Sequence, residues 1–423
     1  MVWGKGQARN WLTIAPLPAG SKTRERQKQM NSKLNNKDNN STFRYLCRSK
    51  ELPPSKSREF SISNEKGTKI EIAVFNIDGK YYSISNTCQH QGGPLSKGIL
   101  DIEKKIVTCP WHGWKYSVID GKAPHKGGDS VNSYETKMVN DELYVNPIPT
   151  NIGKRISQPH EAYSNLENSV KEYLNHTDKN SRLQVSVGGD ADRTIKVLGI
   201  STTNSNDKIA PRKSTSEAAL RYALDYAKNQ SGTETMMIKL RDLSFKHCEG
   251  YYSKNAKACI FPCSISEMDK EDQMIEIYEK IILWADVVLL STPIRWGNAS
   301  SLYYQMIQRM NCVQNQIITH DNYLIRDKVA AFIITGGQDN VQHVAGELMM
   351  FWSELGFVFG KFPFVGWTRG WYAEDTENNL DTMNGSQQMH RDIMRTIRGA
   401  LEMSKLVKES RYDERVLSRS SLL

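Results

Sequence analysis

The sequence lacks the features of a membrane or secreted protein. It contains no stretch of about 18 apolar residues, the length that a transmembrane helix needs. Its basic N-terminal segment has no apolar stretch followed by a small-residue cleavage site, so we expect no secretory signal. Cysteine is scarce, with seven residues unevenly spread over 423, which argues against a disulfide framework and for metal ligation or free thiols. We therefore expect a cytoplasmic protein with no membrane span.

Acidic residues are scarce in the first tenth of the chain. Residues 1–43 hold eight Lys or Arg against Glu25 and Asp38, a net charge of +6 out of the +9 of the whole chain. A basic, Asn-rich segment of this kind is most often a solvated tail. We assign residues 1–42 to a basic, disordered tail and do not expect nucleic acid as a partner.

The chain is too long for one compact core, so at least two domains are expected. Residues 43–148 have the short, alternating pattern of a small all-β domain, in which Asp78-Gly79 marks a hairpin turn between two strands. Residues 149–192 are polar, with one candidate helix at 161–175, and are interpreted as an interdomain linker.

Beyond the linker, apolar strands alternate with amphipathic helices. The predicted strands are 195–200, 235–240, 287–291, 329–335 and 357–365. The predicted helices are 216–228, 272–285, 300–313, 341–355 and 386–407. This alternation predicts an α/β domain at 193–375, with a doubly wound, parallel, five-stranded sheet covered on both faces. Residues 376–423 are assigned to a C-terminal helix and tail, and this helix is a candidate contact for a homo-oligomer.

Two short motifs bring together thiols and imidazoles. Cys88-Gln-His90 is followed after eighteen residues by Cys109-Pro-Trp-His112. Two thiolates on one iron and two imidazoles on the other make a Rieske [2Fe-2S] site. Zinc accepts the same four ligand types, but its sites usually open with two cysteines rather than with CxH. The glycines of both loops suit tight turns that bring backbone N–H groups to a cluster.

These motifs resemble those of the Rieske family, in its ferredoxin and oxygenase branch. The resemblance implies a [2Fe-2S] cluster held by Cys88, His90, Cys109 and His112. Respiratory Rieske proteins add a disulfide between the two loops, where this chain has Gly93 and Trp111. Without that brace we expect a reduction potential near the low end of the Rieske range, about −150 mV.

The α/β domain carries polar loops after three predicted strands. The first leads through Arg212-Lys-Ser-Thr-Ser216 into a helix, where hydroxyls, backbone N–H groups and the positive helix end suit a phosphate monoester. The other two are 291–298 and 335–339. All three follow strand carboxyl ends, where doubly wound sheets bind their ligands. The alternative is that Trp296 and the glycines only shape turns.

This domain resembles the NADPH-dependent FMN reductases and iron-sulfur flavoproteins of the flavodoxin-like class. The resemblance implies that the FMN phosphate is held by Ser201, Arg212, Ser214, Thr215 and Ser216. It also implies that the isoalloxazine ring is flanked by Pro293, Ile294, Arg295, Trp296, Gly297, Asn298, Thr335, Gly336, Gly337 and Gln338. About ten residues, 202–211, are inserted where the family has a tight phosphate loop.

The cysteines depart from the iron-sulfur flavoprotein pattern, which has four cysteines in a compact motif. Cys248 and Cys259 match its first and last members, but Tyr251 and Lys254 occupy the middle positions. Together with Cys263 they cannot supply four thiolates, so we predict no second cluster from this loop.

The two resemblances together predict an electron-transfer oxidoreductase. A flavin accepts a two-electron hydride, whereas a [2Fe-2S] centre carries one electron. NAD(P)H, FMN and the Rieske cluster would be coupled to an unknown acceptor or redox partner protein, with no acid–base catalytic side chain. An alternative is a redox-sensing or interaction protein that uses the same cofactors without turnover. A third reading is a flavodoxin-like domain that is an empty scaffold.

Overall fold

The computed structural model describes residues 42–180, 194–205, 213–337, 340–370 and 377–410. The chain divides into two compact units. One runs to Ile156 except for Pro110–Gly113, and the other contains Pro110–Gly113 and Ser157–Leu423. Residues 1–41 of the predicted tail and residues 206–211 of the inserted loop 202–211 lie outside the described residues. No helix in the described ranges has the length and apolar character that a membrane crossing requires.

The first unit is an all-β domain, as predicted. Its six-stranded sheet has the order β1-β9-β8-β4-β3-β2, and a second sheet has the order β5-β6-β7. Asp78 and Gly79 have positive φ angles and join β3 to β4 in the predicted hairpin. The strands are β1 Arg44–Arg48, β2 Ser57–Ser63, β3 Lys69–Ile77, β4 Lys80–Ser85, β5 Ile99–Asp101, β6 Ile106–Thr108, β7 Lys115–Ser117, β8 Ser133–Val139 and β9 Glu142–Asn151.

The core of this unit lies on one face of the larger sheet. Alternate residues of β3, Ile72 and Val74, are buried against Leu143 and Val145 of β9, since side chains of a strand alternate between faces. Two loops adjoin the strands of the smaller sheet in the sequence: one joins β4 to β5, and the other joins β6 to β7. These two loops carry the Cys-His motifs. Short 3₁₀ helices are formed by Ser49–Glu51 and Leu95–Lys97.

The second unit has the predicted flavodoxin-like architecture. Its five parallel strands have the order β11-β10-β12-β13-β14, which is the 2-1-3-4-5 order of that class. The strands are β10 Ile195–Ser201, β11 Thr233–Lys239, β12 Val287–Pro293, β13 Val329–Gly336 and β14 Val358–Thr368. The helices are α1 Glu161–Asn180, α2 Thr215–Lys228, α3 Tyr251–Lys254, α4 Ser264–Met268, α5 Met274–Glu279, α6 Ser301–Arg309, α7 Asn311–His320, α8 Val341–Glu354, α9 Asn379–Gly385 and α10 Gln387–Ser410, with 3₁₀ turns at Leu240–Asp242 and Ala256–Ala258.

Helices cover both faces of this sheet, as predicted. Ala331 and Ile333 of β13 belong to the same buried cluster as residues of α2 and α10. Phe332, between them, points to the opposite face, where its ring centroid lies 5.8 Å from that of Trp352 on α8. The continuous apolar runs of the strands follow from this burial on two sides.

Two predicted helices are interrupted. The predicted helix 272–285 is α-helical only over α5 and continues as a π-helix at Lys280–Trp284. The predicted helix 300–313 ends at Arg309, and α7 begins two residues later. Periodic apolar residues continue through both interruptions, so hydrophobic spacing alone could not locate them.

The linker and the C-terminal helix are more closely packed than predicted. The segment assigned as linker contributes the last residues of β9 and the helix α1, whose residues Tyr163, Leu166 and Val170 are buried. Residues 181–193 lie outside the described residues. The helix α10, assigned outside the α/β domain, buries Ile393 and Ile397 in the core beside β13 and β14.

Candidate cluster and flavin sites

The two Cys-His motifs lie in loops that are held by backbone hydrogen bonds. Cys88 N–H donates to Gly93 O at 3.0 Å, and Cys109 N–H donates to Trp114 O at 2.7 Å. Both cysteines are buried, at 3% and 2% exposure, and both histidines are below 10%. The fold therefore withdraws two thiols and two imidazoles from solvent.

Each loop contains a glycine in a conformation that other residues rarely adopt. Gly92 has φ 81° and Gly113 has φ 76°. A Cβ at either position would meet nothing within 4 Å, so backbone conformation and not crowding requires glycine there. The left-handed turns reverse the chain directly after the Cys88-x-His90 and Cys109-x-x-His112 motifs.

A buried tyrosine contacts the first cysteine ligand. The hydroxyl of Tyr116, on β7, lies 3.3 Å from Cys88 Sγ and accepts a hydrogen bond from Gln89 N–H at 3.2 Å. The neighbouring thiol of Cys109, followed by burial, raises the pKa of Cys88 in the metal-free protein. Ionisation of two adjacent buried thiols is unfavourable without a nearby cation. Such a pair is suited to bind iron, because iron binds the thiolate form.

An aromatic stack supports the first histidine ligand. The imidazole of His90 and the indole of Trp114 are stacked at 4.7 Å and 8°. Two cations also lie over the indole ring, with Lys126 Nζ 4.8 Å and Arg155 Cζ 5.7 Å from its centroid. Arg155 also donates to His90 O at 3.1 Å. These contacts fix the ring orientation, which a metal-bound imidazole requires.

Zinc and a Rieske cluster differ in how their ligands are arranged. In the described part of the chain, no group of three or more His, Cys, Asp or Glu side chains is arranged to hold a single metal ion. Structural zinc needs four ligands at one centre, whereas a Rieske cluster divides its four ligands between two irons.

The strand register brings the three predicted flavin loops to one edge of the parallel sheet. Ser201, at the end of β10, pairs with Ser291 of β12, and Pro293, at the end of β12, pairs with Thr335 of β13. Ile294 N–H donates to Thr335 O at 2.7 Å. The loops at this edge therefore start side by side, at the carboxyl ends where doubly wound sheets bind ligands.

The phosphate end of this edge has unused hydrogen-bonding capacity. Ser201 Oγ is fully buried and has no hydrogen-bond partner among the described residues. Ser214 caps α2 by accepting from Glu217 N–H at 3.3 Å, and its hydroxyl lies 3.0 Å from that of Ser216. Thr215 is the first residue of the helix. A buried hydroxyl without a partner, next to the N-terminus of a 14-residue helix, fits a phosphate monoester.

A charge cluster at the start of α2 was not identified from the sequence. The buried carboxylate of Glu217 is 2.8 Å from Lys239 Nζ, 2.8 Å from Arg221 Nη2 and 2.6 Å from Arg241 Nη1. Burial opposes its ionisation, but these cations hold the pKa of Glu217 below its ordinary value. Three cations against one carboxylate leave a net positive charge beside the proposed phosphate site. No short motif marks these residues, since they come from three separate elements: α2, β11 and the 3₁₀ turn that follows β11.

The second loop forms a tight turn. Arg295 and Asn298 exchange backbone hydrogen bonds of 2.7 and 3.0 Å, with Trp296 and Gly297 at positive φ between them. The Trp296 side chain is 100% exposed, and Asn340 Nδ2 donates to Gly297 O at 2.6 Å. The turn therefore presents an aromatic face at the sheet edge.

Some predicted residues remain untested, and one residue was missed. Arg212 and Gln338 lie outside the described residues, while Gly336 is the last residue of β13 and Gly337 follows it. A small cavity is lined by Cys312 together with Cys248, Cys259 and Cys263, the three cysteines that were compared with the four-cysteine motif. Cys312 lies on α7 and belongs to no motif with the others.

Comparison with known families assigns both units. Residues 42–135 match the Rieske [2Fe-2S] domain model, and residues 195–370 match the NADPH-dependent FMN reductase model. The protein therefore joins an iron-sulfur domain to a flavin reductase domain. Each match covers less than half of the chain and identifies a domain: a Rieske [2Fe-2S] domain in the first region and an NADPH-dependent FMN reductase domain in the second. The predicted fusion is confirmed, and the two families support a [2Fe-2S] cluster and FMN as cofactors, with a nicotinamide nucleotide as donor.

Individual relatives match only parts of the chain. Human apoptosis-inducing factor 3 is 28% identical over 101 residues, which are 24% of this chain and 16% of that protein. An iron-sulfur flavoprotein of Methanocaldococcus jannaschii is 30% identical over 149 residues, 34% of this chain and 64% of that protein. The chain thus spans less than two thirds of either. The crystal structure of RosB with bound 8-demethyl-8-formylriboflavin-5'-phosphate is 19% identical at a TM-score of 0.41, covering 54% of this chain and 86% of that one.

Proposed function

We propose that this protein is an electron-transfer oxidoreductase that couples NAD(P)H, FMN and a Rieske [2Fe-2S] cluster to an electron acceptor. The observation that carries the proposal is the presence, in one chain, of two buried Cys-His loops and of three polar loops aligned at one sheet edge. Bound FMN would accept a hydride from the nicotinamide and release electrons singly to a one-electron cluster.

Each set of residues has a distinct task in this proposal. Cys88, His90, Cys109 and His112 hold the cluster, and burial of all four keeps water from it. The unpaired hydroxyl of Ser201 and the N-terminus of α2 receive the FMN phosphate, with the charge cluster around Glu217 offsetting its negative charge. The proposed phosphate ligands are Ser201, Arg212, Ser214, Thr215 and Ser216. The residues proposed to flank the ring are 293–298 and 335–338.

The proposal extends to the location of the protein, its acceptor and its assembly. In this proposal Cys88 and Cys109 ligate the cluster, and no disulfide joins the cysteines of the described residues, which supports a reducing, cytoplasmic location. The acceptor is proposed to be a redox partner protein. A homo-oligomer is also proposed, although the buried face of α10 is occupied within its own chain.

An anaerobic reductive titration tests the proposal. Full-length protein holding both cofactors is titrated with NADPH and then NADH, while absorbance follows the flavin and electron paramagnetic resonance follows the cluster. We expect both to be reduced, and a rhombic Rieske-type signal to develop. Trp296→Asp, which places a charge at the proposed ring edge, should slow cluster reduction by NAD(P)H but not by dithionite. Phe362→Asp is the matched control, since this exposed aromatic lies on β14.

Two outcomes would contradict the proposal. If protein with both cofactors bound showed no turnover of NAD(P)H with ferricyanide, the redox-sensing function would be favoured. If NAD(P)H reduced the cluster rapidly in protein stripped of flavin, the electron route would be wrong, because a hydride donor has no one-electron path to the cluster without the flavin.

A further inference from the structure

Four cysteines of the FMN reductase domain surround one small cavity. Cys248, Cys259, Cys263 and Cys312 contribute to its wall, and its volume is about 10 Å³. A space of this size accommodates one water-sized molecule. Glu249 and Gln308, which also line it, are exposed, so small solutes can reach the cavity from that side. None of these residues has a part in the proposed electron transfer.

Two of the thiols are neighbours. Cys263 and Cys312 both line the cavity, and each thiol shifts the pKa of the other. Cys312 Sγ also lies 3.3 Å from Tyr278 Oη and 3.3 Å from Arg309 O, so its position is fixed by a fully buried tyrosine. Cys263 is the N-cap residue of α4, and its side chain makes no capping hydrogen bond. Neighbouring thiols form a disulfide when their sulfur atoms meet in the required geometry.

The two thiols have opposite electrostatic environments. The neighbouring thiol of Cys312 and the buried guanidinium of Arg309 lower the pKa of Cys263 to about 6. Burial raises the pKa of Cys312 well above its ordinary value. Arg309 keeps its charge because it is held by Asp272, at 2.7 and 3.0 Å. At neutral pH the pair is therefore a thiolate beside a thiol, and the thiolate is the nucleophilic form.

We propose that Cys263 and Cys312 form a peroxide-reactive dithiol, in which Cys263 is the attacking residue and Cys312 the resolving residue. The Cys263 sulfur attacks one oxygen of a hydroperoxide. The S–O bond forms, the O–O bond breaks, and the departing oxygen takes a proton and leaves as water or an alcohol. Cys263 is then a sulfenic acid.

The second step closes the disulfide. The Cys312 sulfur attacks the sulfur of Cys263, the S–S bond forms and the S–O bond breaks. The released hydroxide takes the proton of Cys312 and leaves as water. Two thiols are oxidised while one peroxide is reduced, so the electrons balance. The cavity selects hydrogen peroxide over bulky disulfides such as oxidised glutathione, because it has room for one water-sized molecule only.

Peptide mapping of the full-length holoprotein tests the proposal. The protein is treated anaerobically with one to five equivalents of hydrogen peroxide in the presence of an iron chelator, quenched with catalase, alkylated and digested with trypsin. We expect a disulfide that joins the peptide 258–270 to the peptide 310–326. In Cys312→Ser, Cys263 should instead be trapped as a sulfenic acid by dimedone. Cys263→Ser should lower both products at least tenfold.

Controls separate this pair from the other thiols. Cys259 shares the tryptic peptide of Cys263, so Cys259→Ser must still form the linked peptide. Cys248→Ser should also form it, and Cys47, buried in the other domain, should remain unmodified. In addition, the rate of Cys263 alkylation by iodoacetamide in unoxidised protein should rise with a midpoint near pH 6.

Several results would overturn the proposal. The proposal fails if the linked peptide persists in Cys263→Ser, if it is lost in Cys259→Ser, or if Cys263 is not oxidised at five equivalents of peroxide. Circular dichroism of each variant is compared with wild type. If a serine variant does not fold, Cys263→Ala and Cys312→Ala replace it, and the dimedone adduct on Cys263 in a folded Cys312 variant decides the result.

Discussion

The hydroxyl of Tyr116 is expected to raise the reduction potential of the Rieske cluster. Its oxygen lies 3.3 Å from Cys88 Sγ and already accepts from Gln89 N–H. A cysteine that ligates iron is a thiolate and has no proton to donate, so the Tyr116 O–H must point at the sulfur. Reduction adds negative charge to the cluster and strengthens this hydrogen bond. Tyr116→Phe removes the donor and leaves the ring in its buried position.

The size of the effect follows from the energy of one charge-assisted hydrogen bond. Such bonds contribute about 1.5–3 kcal/mol. The bond to the reduced cluster is stronger than the bond to the oxidised cluster, and we take the difference between these two hydrogen-bond energies as roughly 0.5–1.5 kcal/mol. For one electron, about 59 mV corresponds to a tenfold change in equilibrium constant, which is about 1.4 kcal/mol. Tyr116→Phe should therefore lower the potential by roughly 20–60 mV.

A spectropotentiometric titration measures this shift, with electron paramagnetic resonance to verify that the cluster is intact. Tyr134→Phe is the matched control, because Tyr134 is a buried tyrosine of the same domain whose hydroxyl accepts from Asn132 at 3.1 Å. Its potential should equal that of the wild type. An unchanged or raised potential in Tyr116→Phe, with the cluster signal preserved, would refute the assignment of the hydroxyl as a donor to Cys88.

Three further predictions concern the other parts of the molecule. His112→Cys should lower the cluster potential or abolish the centre, as seen by electron paramagnetic resonance, because an anionic thiolate replaces a neutral imidazole. Thr215→Asp should weaken FMN binding about tenfold in a fluorescence titration, since like charges a few ångströms apart repel by about 1–4 kcal/mol; Thr233→Asp, at the opposite end of the sheet, should not. Arg309→Met should cost about 3–5 kcal/mol in urea unfolding by leaving buried Asp272 unpaired, whereas Arg395→Met, in an exposed pair with Asp392, should cost under about 1 kcal/mol.

The parallel sheet was predictable because its three central strands, β10, β12 and β13, are buried on both faces. Such strands are continuous apolar runs, and their bounds differ from the predicted ones by at most three residues. The interruption of the predicted helix 300–313 was not predictable. Arg309, where α6 ends, extends its side chain to Asp272, and its carbonyl accepts from the hydroxyl of Tyr278 at 2.8 Å. These partners are more than 30 positions away in the sequence, beyond the reach of any periodic pattern.

For helix α1, in contrast, the sequence contained a usable signal of packing. Its buried residues Tyr163, Leu166 and Val170 have the i, i+3, i+7 spacing of an amphipathic helix, and the sequence did indicate a helix there. Its polar composition nevertheless suggested a linker. The hydroxyl of Tyr163 donates to Pro262 O at 3.0 Å, and such a tertiary contact decides whether a mostly polar helix is packed or free.

The groups that hold cofactors and the groups that tune them differ in how far sequence reasoning can find them. Ligands to one cluster must converge from short loops, so their spacing is constrained and CxH with CPWH could be recognised. A tuning group needs only to arrive at the right place in space, from any element. Tyr116 reaches Cys88 from β7, and Arg309 reaches Cys263 from α6. Chemistry of this kind has no motif, because the fold fixes it through register and packing. Substitutions at these positions should therefore change potentials and thiol reactivity while leaving the recognisable motifs intact.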